Sequence, residues 1–158
     1  MIANYIRTYQ SKIFMLICAL SLSGCGLMPN LIPDIQTEKI RISASPRVNQ
    51  GFPVAVDIVL LNENLLVEGV KDLSGKEWFK KRDQFAIDHP KLAHIIRREV
   101  VEGENLLPVK LKYSQRTKAK GVFVFANFLA DGTHRLRIDT IKEPKIVLTD
   151  NLMRLVTK

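Results

Sequence analysis

Cysteine is nearly absent from this sequence. Only Cys18 and Cys25 occur in 158 residues, and residues 26–158 hold none. That stretch cannot form a disulfide, a thiolate nucleophile or a cysteine metal site. Histidine is scarce too: His89, His94 and His134 form no H-E-x-x-H or H-x-H pattern. His89 and His94 flank Pro90 at a spacing that suits neither one helix face nor a shared metal. His134, near Asp131 in a turn, reads as a solvated loop histidine. No G-x-S-x-G elbow is present, and Gly121 and Gly132 are isolated, so there is no phosphate loop. Asp83 and Asp88 lie in a charged run where carboxylates are ordinarily solvated; glycosidase-type chemistry needs two facing one cleft. Without these constellations the chain is read as a non-enzyme with no cofactor and no metal. Long apolar runs are missing as well. The longest, over 13–22, is about ten residues, half of the ~20 a membrane-spanning helix needs.

What the N-terminus does have is order. Residues 5–12 carry Arg7 and Lys12 and no acid, and 13–22 are almost wholly apolar. Leu22-Ser23-Gly24-Cys25 then closes the run. These are the charged, apolar and small-residue regions of a secretory signal. The closing four residues resemble the lipobox of bacterial lipoproteins. That resemblance implies cleavage before Cys25, diacylation of its thiol and acylation of the new amino group. Several acyl chains on one residue make a stable membrane tether. Gly26 stands where an Asp commonly signals inner-membrane retention, which implies an outer-membrane protein facing the periplasm. The expected organisation is a signal peptide over 1–24, a lipidated linker over 25–37 and one domain over 38–158. Gly26, Pro29, Asn30, Pro33 and Asp34 break any period in the linker.

Charge is one-sided but diffuse. The full chain carries +8; residues 1–24 remove Arg7 and Lys12 and no acid, leaving +6 on 134 residues. That length builds one domain. The excess could favour an acidic partner, but its even spread reads first as solubility. Arg116-Thr117-Lys118-Ala119-Lys120 lacks the aromatics that stack bases. It reads as a solvated loop, and no nucleic acid partner is expected.

The domain patterns as strands. Residues 39–44 alternate polar and apolar. Residues 52–61 place Val54, Val56, Ile58 and Leu60 on one face with Asp57 as the only charge, which marks a central strand. Residues 73–87 switch to helical spacing, opened by a Ser74–Glu77 capping box and stopped before Pro90. Trp78 is expected in the core. Residues 95–101 and 106–113 flank a Glu102-Gly103-Glu104-Asn105 turn, a hairpin signal. The most apolar strand is 121–129. Strands over 135–140 and 145–149 follow, then a short basic tail over 151–158. The chain is therefore read as an all-β sandwich of about seven strands with one inserted amphipathic helix.

The ordering resembles the TssJ family, outer-membrane lipoproteins of type VI secretion systems. The likeness covers most of 38–149. It rests on the lipobox, the strand over 52–61, the helix with Trp78-Phe79 and Gln84-Phe85, then Arg98-Glu99-Val100-Val101 and Gly121-Val122-Phe123-Val124. Asp83-Gln84-Phe85 approximates the family's Asp-Phe patch. The resemblance implies a transthyretin-like β-sandwich. It also implies a structural anchor that binds the periplasmic domain of an inner-membrane TssM-like protein. In the family the loop after the first strand makes that contact, which by strand order corresponds to Pro46, Arg47, Val48, Asn49 and Gln50. An exposed turn there would let Arg47 and Asn49 be substituted without loss of stability. Two other readings stay open: a pilotin or accessory lipoprotein of another secretion or conjugation system, and an envelope enzyme or peptidoglycan-binding protein.

Overall fold

A computed structural model describes residues 33–156. The signal segment, Cys25 and the start of the linker lie outside the described residues. Among the described residues eight strands form two four-stranded sheets. The first sheet contains β1 (Lys39–Ala44), β4 (Val109–Lys110), β7 (Lys145–Leu148) and β8 (Met153–Val156), in the order β4-β1-β7-β8. The second contains β2 (Val54–Leu61), β3 (Ala93–Val100), β5 (Gly121–Asn127) and β6 (Arg135–Arg137), in the order β3-β2-β5-β6. All neighbours are antiparallel except β1 and β7, which run parallel.

The alternation read from the sequence fills the space between the sheets. Ile40 and Ile42 of β1 face Val54, Val56, Ile58 and Leu60 of β2 and Val122 and Val124 of β5 in one buried cluster. The opposite face of the second sheet is also apolar. Val59, Leu61, Phe123 and Phe125 pack there against two helices, α1 (Asn64–Val70) and α2 (Gly75–Asp88). A sheet covered on both faces explains why β2 and β5 read as nearly continuous apolar runs. Burial of this kind stabilises by about 25 cal/mol per Å² removed from water.

Helix α2 starts where its capping box says. Glu77 N–H donates to Ser74 Oγ at 3.3 Å, and Ser74 N–H donates to Glu77 Oε2 at 2.7 Å. Gly75 lies against β5: a Cβ there would stand 2.2 Å from the Ala126 carbonyl oxygen. Trp78 is fully buried, as expected, and its indole N–H donates to Asp57 Oδ2 at 2.9 Å. Arg82 Nη1 donates to Asp57 Oδ1 at 3.1 Å and its guanidinium caps the Phe79 ring at 4.6 Å. The one charge of β2 is thus paired on the helix-covered face, as a buried carboxylate must be.

Several expectations are corrected. Residues 153–156 of the expected tail form a further strand, the eighth among the described residues, paired with β7. Residues 106–113 form no continuous strand. Leu106 N–H bonds Ile42 O, Pro108 interrupts, and only Val109–Lys110 joins the ladder. From Tyr113 to Arg116 the chain turns into a short helix, α3. The 102–105 turn is no hairpin: it carries the chain from β3 in one sheet to β4 in the other. Helix α1 adds a second cover, with Leu66, Val67 and Val70 buried at helical spacing. His134 is buried, not solvated; its Nε2 lies 3.0 Å from Ala130 O and its ring 4.6 Å from that of Phe128. Arg116 pairs with Glu38 at 2.8 Å and Ala119 is buried, so 116–120 is packed rather than free. The end of the linker is packed too. Ile35 joins the core, Thr37 Oγ1 donates to Ile138 O, and Gln36 N–H bonds Asp139 O at 2.8 Å.

Candidate functional site at the loop end of the sandwich

β1 leads directly into the loop over 45–53. Its backbone is unusual: Arg47, Asn49 and Gln50 have φ of 74°, 48° and 59°, and Gly51 follows at 88°. Left-handed conformations cost a non-glycine residue about 1–2 kcal/mol each, so the surroundings must hold them. Val48 is fully buried in the main core. Asn49 is buried and acts as a hub. Its Oδ1 accepts from Leu129 N–H at 2.7 Å, its Nδ2 donates to the Phe52 and Pro53 carbonyls at 3.4 Å, and its N–H donates to Asp150 O at 3.0 Å. Arg47 N–H donates to Glu102 Oε1 at 2.8 Å. The loop after β1 is therefore laced to the loops after β3, β5 and β7.

The five predicted residues divide. Pro46, Arg47 and Gln50 are exposed, whereas Val48 and Asn49 point inward. The expectation that Asn49 could be replaced without loss of stability is corrected, because its side chain satisfies buried backbone groups of two loops. The sequence reading also missed four exposed apolar side chains on these loops. Phe52, Val101, Leu129 and Leu152 are 59%, 49%, 53% and 36% exposed. Their signal was an apolar residue placed beyond a strand end and next to a turn former: Gly51, Glu102, Asp131-Gly132 and Asn151.

The charged groups of this end are surface pairs. Lys76 Nζ bonds Asp131 Oδ1 at 2.6 Å and Leu129 O at 2.9 Å. The Lys76 ammonium holds the Asp131 carboxyl below its ordinary value. Among the described residues no group of three or more His, Cys, Asp or Glu side chains could hold a metal ion. No described helix is long and apolar enough to cross a membrane. The turn exposes Arg47 and Gln50, and the loops at the same end expose Phe52, Val101, Leu129 and Leu152.

Two stacked four-stranded sheets, with helices laid over one of them, define a β-sandwich of the kind found in type VI secretion lipoproteins. The T6SS lipoprotein TssJ1 from Pseudomonas aeruginosa superposes with a TM-score of 0.58 at 17% identity, over 80% of this chain and 98% of that one. The Serratia marcescens Lip protein, a membrane-bound component of the type VI secretion system, gives 0.53 at 14% identity, over 80% and 99%. A structure of the T6SS TssM C-terminal domain (869–1107) from EAEC contains a chain matching at 0.55 and 15% identity, over 77% and 98%. The TssJ likeness read from the sequence is thus present in the fold. No protein-family model matches this chain, and no curated protein matches its sequence.

Proposed function

We propose that this chain is a structural lipoprotein of a type VI secretion membrane complex, tethered through Cys25 to the periplasmic face of the outer membrane. It acts by binding the periplasmic domain of a TssM-like inner-membrane protein, without catalysis. The observation that carries this reading is the loop end. Four loops are fastened together through Arg47 and Asn49, and they expose Phe52, Val101, Leu129 and Leu152. A monomeric domain gains nothing from fixing strained backbone beneath exposed apolar side chains; a binding surface does, because ordering completed before association is not charged to affinity. Support also comes from the structural neighbours, which include type VI secretion lipoproteins and a structure of a T6SS TssM C-terminal domain.

The test is a pull-down of tagged full-length protein from crosslinked envelopes, read by mass spectrometry. Recovery of a TssM-like inner-membrane protein, lost with Arg47→Glu, is the expected result. Envelopes that return no inner-membrane protein would overturn the proposal.

A further inference from the structure

The loop end does not stop at its rim. On the helix-covered side of the second sheet an open groove of about 400 Å³ runs between the first two turns of α2 and the end of β5, lined by Lys76, Phe79, Lys80, Asn127, Phe128 and Leu129. Its apolar side chains are the half-buried Phe79, which packs against the helix-covered core, and the exposed Leu129. Its charge is unequal. Lys76 is already engaged by Asp131 and Leu129 O. Lys80, one turn further along α2, is exposed and makes no ion pair among the described residues. Lys81 beside it is likewise exposed and unpaired.

We infer that this groove is a second docking subsite, taking an extended protein segment that places an apolar side chain over Phe79 and Leu129 and a carboxylate against Lys80. The inference rests on the proposed partner-binding role of the loop end and names the chemistry of that partner. Continuity argues that one partner covers both places. Leu129 lines the groove, and its N–H is held by Asn49 Oδ1 of the loop. The groove wall and the left-handed loop are therefore one rigid piece. Complementarity argues for the carboxylate. An exposed ammonium at the edge of an apolar trough repels cationic segments and gains from an anionic one. The formal charge of +6 that remains without residues 1–24 steers association the same way. The open trough suits a peptide segment better than an enclosed small molecule, whose sites bury most of the ligand.

The experiment uses full-length protein in detergent micelles, with the purified C-terminal domain of a TssM-like protein from the same organism as probe. Affinity is measured by biolayer interferometry at several salt concentrations. Lys80→Glu is expected to weaken binding about ten-fold, with the loss shrinking as salt rises. Leu129→Ser is expected to weaken it about five-fold at all salt concentrations, in keeping with loss of an apolar contact. Thermal midpoints of both variants should match the parent, since both side chains are exposed. Arg47→Glu, measured in parallel, separates the two ideas. If it abolishes binding while Lys80→Glu and Leu129→Ser bind like the parent, the groove is overturned and the partner role stands. If the parent protein does not bind the probe, the partner role falls and the groove subsite with it.

Discussion

Trp78 of α2 and Asp57 of β2 meet across the helix–sheet interface through an indole N–H to carboxylate hydrogen bond of 2.9 Å. The indole also stacks on Phe125, with centroids 4.9 Å apart. One side chain thus fills the second core and neutralises a need of the first-rank central strand. Removing either partner exposes the other to an environment with no water to replace it.

Trp78→Ala is expected to destabilise the domain by about 3–5 kcal/mol. Asp57→Ala, which strands the Trp78 N–H and the partly buried Arg82, should cost about 3 kcal/mol. Urea unfolding at neutral pH measures both. A double-mutant cycle between Trp78→Phe and Asp57→Ala should show coupling, because the two share one hydrogen bond. Additive losses would sink the pairing.

Asn49 and Arg47 should separate stability from binding. Asn49→Ala removes the side chain that satisfies Leu129 N–H and the Phe52 and Pro53 carbonyls, and should cost about 2 kcal/mol. Arg47→Glu alters an exposed side chain whose backbone N–H makes the loop contact. Its melting temperature should stay within a degree or so of the parent while partner binding falls. Equal stability losses in the two variants would contradict the geometry.

The acid limb of the stability curve should report the helix start. Hydrogen bonds from the Ser74 backbone N–H and hydroxyl lower the Glu77 carboxyl below its ordinary value of 4.5. A carboxyl lowered on folding adds stability that is full above that ordinary value. The contribution is lost as pH falls through the lower folded-state value. Ser74→Ala should therefore lower the thermal midpoint at pH 7 and leave a shallower decline below pH 4.5. Differential scanning calorimetry across pH 2.5–7 reads both effects; parallel curves for variant and parent would remove Glu77 from the account.

Lipidation at Cys25 has its own readout. Intact-mass analysis of membrane-extracted protein should show an acylated N-terminus beginning at Cys25. Cys25→Ser should leave the domain out of the membrane fraction. A protein retaining residues 1–24 would refute the processing.

The two-residue and 3.6-residue periods carried most of the fold. β1, β2, β5 and α2 stand where alternation and the Ser74 capping box place them, because each has one face buried by many partners. Failures came where local pattern and tertiary need diverge. The alternation of Val109, Leu111 and Tyr113 promised a strand, but Pro108 before it and the helical turn after Lys112 leave a ladder of two residues. The 102–105 turn has hairpin residues, yet nothing local tells whether the next strand returns to the same sheet. α1 escapes the sequence reading: Leu66, Val67 and Val70 recur at helical spacing, but the segment is short and Gly69 hides its period. At the site, sequence order located the loop after β1 but not which side chains turn inward. Val48 and Asn49 are buried because a run of left-handed residues reverses the usual alternation, a feature no residue count displays.

β1 is the shortest path from the first described residues to the 45–53 loop, and it is an interior strand. Its neighbours hold it on both edges, β4 on one and β7 on the other. A pull applied near residue 33 and resisted at the 45–53 loop runs along the strand axis. Its ladder bonds are then loaded side by side in shear, so they must fail together rather than unzip one by one. The partner β7 lies about a hundred residues later in the chain, so that load path is complete only once nearly the whole domain has folded. A sandwich wired in this way is built to carry tension between its two ends, a mechanical property set by the placement of one six-residue strand.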